Sequence, residues 1–228
     1  VGRTLILPTA HVLPQAPREG IVINLAELRL YYFPDPHTVM TFPIGIGREG
    51  WETPTGVTKV VRKKEGPEWI PPPSIRAEEP DLPDVIPAGP DNPMGSHALY
   101  LGWSGAAIHG TNRPWGIGRR SSHGCIRLYP EDIPALFEQV PIGTKVTVVD
   151  TPYKLGRYGD RIVLQVTPEQ QQADEIMETG AIASYNRNDD MQSVVNGLVG
   201  DGAQIDWQAV DRVAQSRDGL PFYVGSAE

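Results

Sequence analysis

A single cysteine, Cys125, in 228 residues excludes an intrachain disulfide and leaves one thiol that is free, buried and inert, or chemically employed. No apolar run approaches the roughly 18 residues that span a bilayer, so no transmembrane segment is expected. Basic residues are the scarcer charge. Lys and Arg number 20 against 28 Asp and Glu, and the net charge of −8 argues against a protein that grips nucleic-acid phosphates with a basic face. Disorder is excluded in turn, because 39% hydrophobic residues can build a core. There is no internal repeat and no low-complexity segment. The chain opens at Val1 with neither an initiator Met nor a charged-then-apolar leader, which reads as a processed or trimmed start.

What the chain has in quantity is turn formers. With 24 Gly and 23 Pro, about a fifth of the residues are of these types against roughly 12% in average usage, which favours short strands over long helices. At about 150 residues per domain, the length fits one substantial domain plus an appendage. Residues 20–33 read as a hairpin, Ile21 to Leu25 and Leu28 to Phe33 about a turn near Ala26, stopped by Pro34 and Pro36. Runs 38–46, 57–62, 98–103, 106–109, 145–149 and 161–166 are rich in branched or aromatic residues and bounded by Gly, Pro or Asp, the pattern of a β-sandwich or barrel. Nine prolines between 67 and 93 forbid a regular ladder there and predict a long semi-rigid loop, with Trp69 and Ile70 as apolar anchors.

Helical signals are fewer. Ile133, Leu136, Phe137 and Val140 fall on one helical face behind Glu131 and Asp132, predicting a helix packed on the sheet. Thr167-Pro168-Glu169-Gln170 predicts a capping box with an N1 proline, and Ile205, Val210, Val213 and Ala214 a second helix, so the C-terminal third reads as an appended helical layer.

The chemistry concentrates between Ile108 and Leu128. The only thiol and two of five histidines, His109 and His123, lie within 17 residues. A thiol must become thiolate to attack a carbonyl, and a near-neutral imidazole is the natural acceptor of its proton. His109 ends a predicted strand and Cys125 begins the next ordered element, so the intervening loop can bring the two together. Gly124 permits a tight turn that would converge backbone N–H groups on a developing oxyanion. On composition alone a lone cysteine is a small buried hydrophobe, and His109 a strand-end histidine satisfied by backbone; the clustering favours catalysis. Arg127, close to the thiol, is the candidate to fork onto a substrate carboxylate, whereas Arg113 and Arg120 read as solvated loop charges. Trp103 and Trp115 read as packing residues. A zinc site of His97, His109, His123 and Cys125 is the competitor, but separations of 12, 14 and 2 residues match no short ligand pattern, so no metal and no cofactor are expected.

His109-Gly110 followed by a loop and Ser122-His123-Gly124-Cys125-Ile126-Arg127 strongly resembles the signature of the L,D-transpeptidase catalytic domain (YkuD) family. The stretches 20–32, Thr53-Pro54-Thr55-Gly56 and 85–95 look like its Gram-negative branch, which includes the Braun-lipoprotein-attaching enzymes. The likeness covers residues 18–152. It implies a mainly β, YkuD-like sandwich with a helix after the cysteine and a C-terminal helical appendage at 153–228. Residues 1–17, through Thr4-Leu5-Ile6-Leu7-Pro8, resemble only the closing strand of a LysM module. Carried over, the resemblance implies Cys125 as nucleophile, His109 as base, a wall of His123, Gly124 and Cys125 supplying oxyanion donors, and Gly110 orienting His109 through its carbonyl. Arg127, with Arg119, would reverse the unfavourable charge toward a carboxylate-rich stem peptide, beside Ser122 and Gly110. Arg127 stands where many relatives have Asn.

The implied reaction is ping-pong acyl transfer. D-Ala leaves a tetrapeptide stem, a thioester forms at diaminopimelate, and an amine resolves it, giving a 3-3 cross-link or an attached lipoprotein lysine. With water as acceptor the same site is an L,D-carboxypeptidase or hydrolase, and a non-catalytic wall-binding domain is the remaining alternative. Carbapenems are implied as covalent inhibitors, and the periplasm as the compartment.

Overall fold

Ile21, Val22 and Ile23 are wholly buried, as the apolar run dictates, in β1 (Gly20–Asn24), which pairs antiparallel with β2 (Arg29–Asp35) through a turn where Leu28 takes a positive φ of 52°. The computed structural model describes residues 10–180, 191–199 and 202–227. They fall into two units, one of Ala16–Asp150 and one combining residues 10–15 with the chain from Thr151 onward. The Thr4 to Pro8 likeness lies outside the described residues.

In the first unit the hairpin extends to β3 (Thr38–Pro43), then β4 (Ile46–Gly47), β5 (Gly56–Glu65), helix α1 (Pro73–Glu78), β6 (His97–Leu101), β7 (Ala107–His109), β8 (Arg120–Ser122), β9 (Ile126–Arg127), helix α2 (Asp132–Gln139) and β10 (Lys145–Val149). Eight strands form one ladder in the order β3-β2-β1-β10-β5-β6-β7-β9, with β4 and β8 as a separate two-stranded ladder. The β1–β10 and β7–β9 pairs are parallel. The mainly β expectation holds, and α2 forms where the apolar spacing predicts. Its Ile133, Leu136 and the following Val140 join Ile21, Ile23, Leu99, Ile108 and Ile126 in the core.

Two expectations for this unit need correction. Proline does not stop β2, which runs through Pro34 to Asp35. The register against β3 shifts between Tyr32 and Asp35, so the missing N–H falls in an irregularity. Residues 67–93 are more ordered than a loop. They hold α1, and Trp69 and Ile86 exchange backbone hydrogen bonds at 2.9 and 2.8 Å. Buried Asn92 donates through its amide to the carbonyls of Pro67, Ile86 and Pro87 at 2.8, 3.1 and 3.0 Å and accepts from the Met94 N–H at 2.8 Å. Prolines leave carbonyls with no partner strand, and one side-chain amide gathers three of them.

The second unit is not helical alone. Strands β11 (Tyr153–Tyr158), β12 (Arg161–Val166), β13 (Gln204–Ile205) and β14 (Pro221–Ser226) form an antiparallel sheet in the order β11-β12-β14-β13, accompanied by helices α3 (Gln170–Thr179), α4 (Met191–Leu198) and α5 (Trp207–Ser216). The expected second helix is α5, capped by Asp206 accepting from the Ala209 N–H at 3.0 Å. Its Val210, Val213 and Ala214 pack with Leu164, Val166 and Val224 of the sheet. Ile205 belongs to β13. The cap of α3 is also displaced. Glu169 is the N-cap, Gln172 returns to its N–H at 3.1 Å, and Thr167 instead gives both its N–H and hydroxyl to the Pro152 carbonyl.

Candidate active site

Strand alternation assembles the site. Ile108 and Ile126 pair across β7 and β9 and both turn into the core, fully buried. Their neighbours Ala107, His109, Cys125 and Arg127 therefore face the opposite side of the sheet. His109 is in register with Arg127, Tyr100 with Ala107, and Arg62 with Tyr100, so one face carries this floor from β9 across to β5. Above it lies a cleft of about 390 Å³ lined by Cys125, His109, Arg127 and Arg62, walled by Trp69, Ile70, Pro72 and Ile75 of the proline-rich segment and by Met94. Trp103, Ser122 and His123 complete the rim.

His109 is only 5% exposed. Its Nδ1 lies 2.6 Å from the Gly110 carbonyl. A carbonyl only accepts, so Nδ1 carries the ring proton and Nε2 keeps its lone pair. Burial, and next the charge of Arg127, push the imidazole down to about 4, against weaker opposition from the Gly110 and Met94 carbonyls. At neutral pH it is an unprotonated base. Burial raises the Cys125 thiol above the ordinary cysteine value, opposed by the Ala107 backbone and by Arg127. The resting pair is neutral thiol and neutral imidazole, and the thiol points to the Gly105 carbonyl at 3.5 Å. Arg127 is itself buried enough that its Nε has no hydrogen-bond partner among the described residues.

The turn that presents Cys125 is held from behind. Gly124 adopts φ 95°, a left-handed conformation that glycine takes without strain. Its carbonyl accepts from the Thr53 hydroxyl at 3.1 Å, and because a trans peptide opposes C=O and N–H, the Cys125 N–H points away from that bond. Ser122, fully buried, donates to the Cys125 carbonyl at 2.6 Å. Gly95, at φ 64°, fits against Gly110 and Thr111 where a Cβ would lie 2.7 Å from the Thr111 nitrogen, which fixes the turn orienting His109.

The remaining candidates separate. The His123 ring is engaged by Arg48 at 3.0 Å and Glu78 at 3.2 Å, with Trp51 edge-on at 5.0 Å. Glu78 ends α1, so this cluster ties the proline-rich segment to the cysteine turn. Arg119 is exposed and does not line the cleft; its carbonyl accepts from the Ile46 N–H. Trp115 is exposed, whereas Trp103 lines the cleft. The His97 ring lies 4.6 Å from that of Phe137, tilted by 55°, and bonds Ser96, and among the described residues no three His, Cys, Asp or Glu side chains gather as metal ligands. Arg62, Tyr100, Glu78 and Asn92 were not expected. Alternation along β5 and β6 carries the signal for the first two, but only once their register with β7 is known.

Residues 18–148 match the family model described as YkuD, L,D-transpeptidase catalytic domain. The Escherichia coli (strain K12) protein named probable L,D-transpeptidase YcfS is 44% identical over 98% of this chain and 71% of its own length. Two others from the same strain, the probable L,D-transpeptidases ErfK/SrfK and YbiS, are 53% and 55% identical over 67% of this chain. Of those two the chain spans about half the length, 51% and 52%. A solved L,D-transpeptidase from Mycobacterium smegmatis superposes with a TM-score of 0.45 at 20% identity, over 57% of this chain and 58% of that one.

Proposed function

The chain belongs to the L,D-transpeptidase catalytic-domain family, and from that premise we propose that it is a cysteine acyltransferase of peptidoglycan stem peptides, acting in the periplasm. The observation that carries the reading is that Cys125 and His109 share one sheet face and open into one cleft. His109 Nε2 takes the thiol proton as Sγ attacks the carbonyl of the third-position diaminopimelate. The resulting oxyanion is received by backbone N–H groups of the His123–Gly124–Cys125 turn. Collapse breaks the peptide C–N bond, the imidazolium returns its proton to the departing D-Ala amine, and a thioester remains. An incoming amine, deprotonated by the same imidazole, attacks the thioester carbonyl and expels the thiolate, which recovers the proton.

Arg127 favours the thiolate and meets substrate carboxylate, Gly110 holds His109 through its carbonyl, and Ser122 holds the Cys125 turn. The acceptor is a second stem's diaminopimelate amine, giving a 3-3 cross-link, or a lipoprotein lysine; water makes the same site a carboxypeptidase. We take residues 18–152 as the catalytic domain and 153–228 as a C-terminal subdomain.

Incubation with a diaminopimelate-containing tetrapeptide stem, followed by intact mass measurement, tests this. The expected adduct is the peptide less D-Ala on Cys125, absent in Cys125→Ala. A carbapenem, whose strained lactam opens without a leaving fragment, should add its whole mass at the same sulfur. Absence of both adducts on a folded protein would overturn the reading.

A further inference from the structure

The cleft continues well past the thiol, and its far end carries charges that the acyl-transfer steps do not use. Arg62 stands in register with Tyr100 on the cleft floor, and its guanidinium lies 3.6 Å from the centre of the Tyr100 ring. Stacking orients the planar fork while leaving its edge N–H donors available. Glu68, at the start of the proline-rich segment, lines the same cleft. Among the described residues no ion pair joins the two. A cation and an anion held apart in one cleft match a ligand that carries both signs on one carbon.

We infer that Arg62 and Glu68 form a subsite for a zwitterionic amino-acid head, the free side-chain end of the donor's third residue, with Arg62 taking its carboxylate and Glu68 its ammonium. This rests on the donor being a stem peptide with a diamino diacid at that position. The dimensions agree. Arg62 is three strands from the cysteine strand, about 14 Å at the usual interstrand spacing, and its guanidinium lies over the ring of Tyr100, which belongs to β6, one strand nearer the cysteine. In such a donor six carbon–carbon links of about 1.5 Å, roughly 7–8 Å when extended, separate the reacting carbonyl carbon from the remote carboxylate carbon. Adding the forming C–S bond at one end and a hydrogen bond at the other gives a reach of about 13 Å, comparable with that three-strand separation. Arg127 lies on the cysteine strand itself and Arg62 three strands away, so the near carboxylate is assigned to Arg127 and the remote one to Arg62.

The test measures acyl-enzyme formation by mass spectrometry before any acceptor is added. It uses tetrapeptide stems with diaminopimelate, its side-chain carboxamide, or lysine at position three. The intact protein should acylate with the diaminopimelate stem roughly 10- to 100-fold more efficiently than with either analogue, chiefly through KM. Arg62→Gln should erase that preference and Arg62→Lys retain part of it, whereas Glu68→Gln should weaken all three peptides, since each bears the side-chain ammonium, and spare a fourth stem with 2-aminopimelate, which keeps the remote carboxylate but lacks that ammonium. Thermal midpoints close to that of the parent establish that the variants fold. Equal loss with all three peptides in Arg62→Gln, equal loss with and without the side-chain ammonium in Glu68→Gln, or no loss in either variant overturns the subsite. Titration of Cys125→Ala with the same peptides separates this from the reaction itself. If no peptide acylates the intact protein yet Cys125→Ala still prefers diaminopimelate and Arg62→Gln removes the preference, the acyl-transfer reading fails and the subsite stands; equal affinities overturn the subsite.

Discussion

His109 and Arg127 sit directly opposite one another across the parallel β7–β9 pair, both on the cleft side of the sheet. The guanidinium disfavours the imidazolium and favours the thiolate, so a single charge adds to burial in keeping the His109 ring unprotonated and offsets part of the effect of burial on the Cys125 thiol.

Replacing that charge should move both groups in one direction. In Arg127→Gln the imidazole loses a repulsion and its value rises from about 4, while the thiol loses an attraction and rises further above its ordinary value. The pH profile of Cys125 alkylation by iodoacetamide should therefore shift to higher pH on both its acid and alkaline limbs. A profile that falls in amplitude without shifting would mean that Arg127 acts through packing alone.

The buried imidazole also links stability to pH. Its folded value of about 4 lies below the unfolded 6.5, so the unfolded chain binds the proton more readily. The stabilisation is complete above pH 6.5 and is lost as pH falls toward 4, a difference of about 3 kcal/mol. Denaturant titrations across that window should show a steeper decline for the parent protein than for His109→Gln. Parallel declines would place the imidazole in a far wetter environment.

Much of this site is legible in the sequence because its key parts are local. Cys125, His123, Gly124 and Ser122 are contiguous, and His109-Gly110 contains its own orienting hydrogen bond between neighbouring residues. Arg62 and Tyr100 are invisible to such reading because they join the cleft that holds the thiol only through the lateral order β5-β6-β7-β9, and register is a long-range property. The same reason hides the β11-β12-β14-β13 sheet. Strand β14 is six residues that begin at Pro221 and include Gly225, too short to outweigh the helical periodicity beside it. His123 shows the limit of motif reading, since its neighbours Arg48 and Glu78 are 75 and 45 residues away.

Asn92 is the keystone of the proline-rich wall. Asn92→Ala would leave the Pro67, Ile86 and Pro87 carbonyls without their shared donor in a site that water does not reach. At about 1 kcal/mol per hydrogen bond, a loss of roughly 2–4 kcal/mol is expected. It should appear in chemical denaturation, with new protease cleavages confined to residues 67–93. Unaltered cleavage there would mean that the prolines alone hold the segment.

Glu78 supplies a gentler perturbation of the same wall. Its carboxylate is held below the usual range first by the hydrogen bond from His123 and then by that from Arg48, so it stays ionised through neutral pH and ties α1 to the cysteine turn. The groups are partly exposed, and Glu78→Gln should leave the thermal midpoint nearly unchanged. What it should alter is water exclusion, because Pro72 and Ile75 of the cleft wall move with α1. With a tetrapeptide donor and an amine acceptor both present, acyl-enzyme formation should persist while the ratio of hydrolysis to transfer rises several-fold. Shortening the segment between Pro71 and Pro83 should raise that ratio further. An unchanged ratio in both variants would show that the wall shapes the cleft but takes no part in choosing between water and amine.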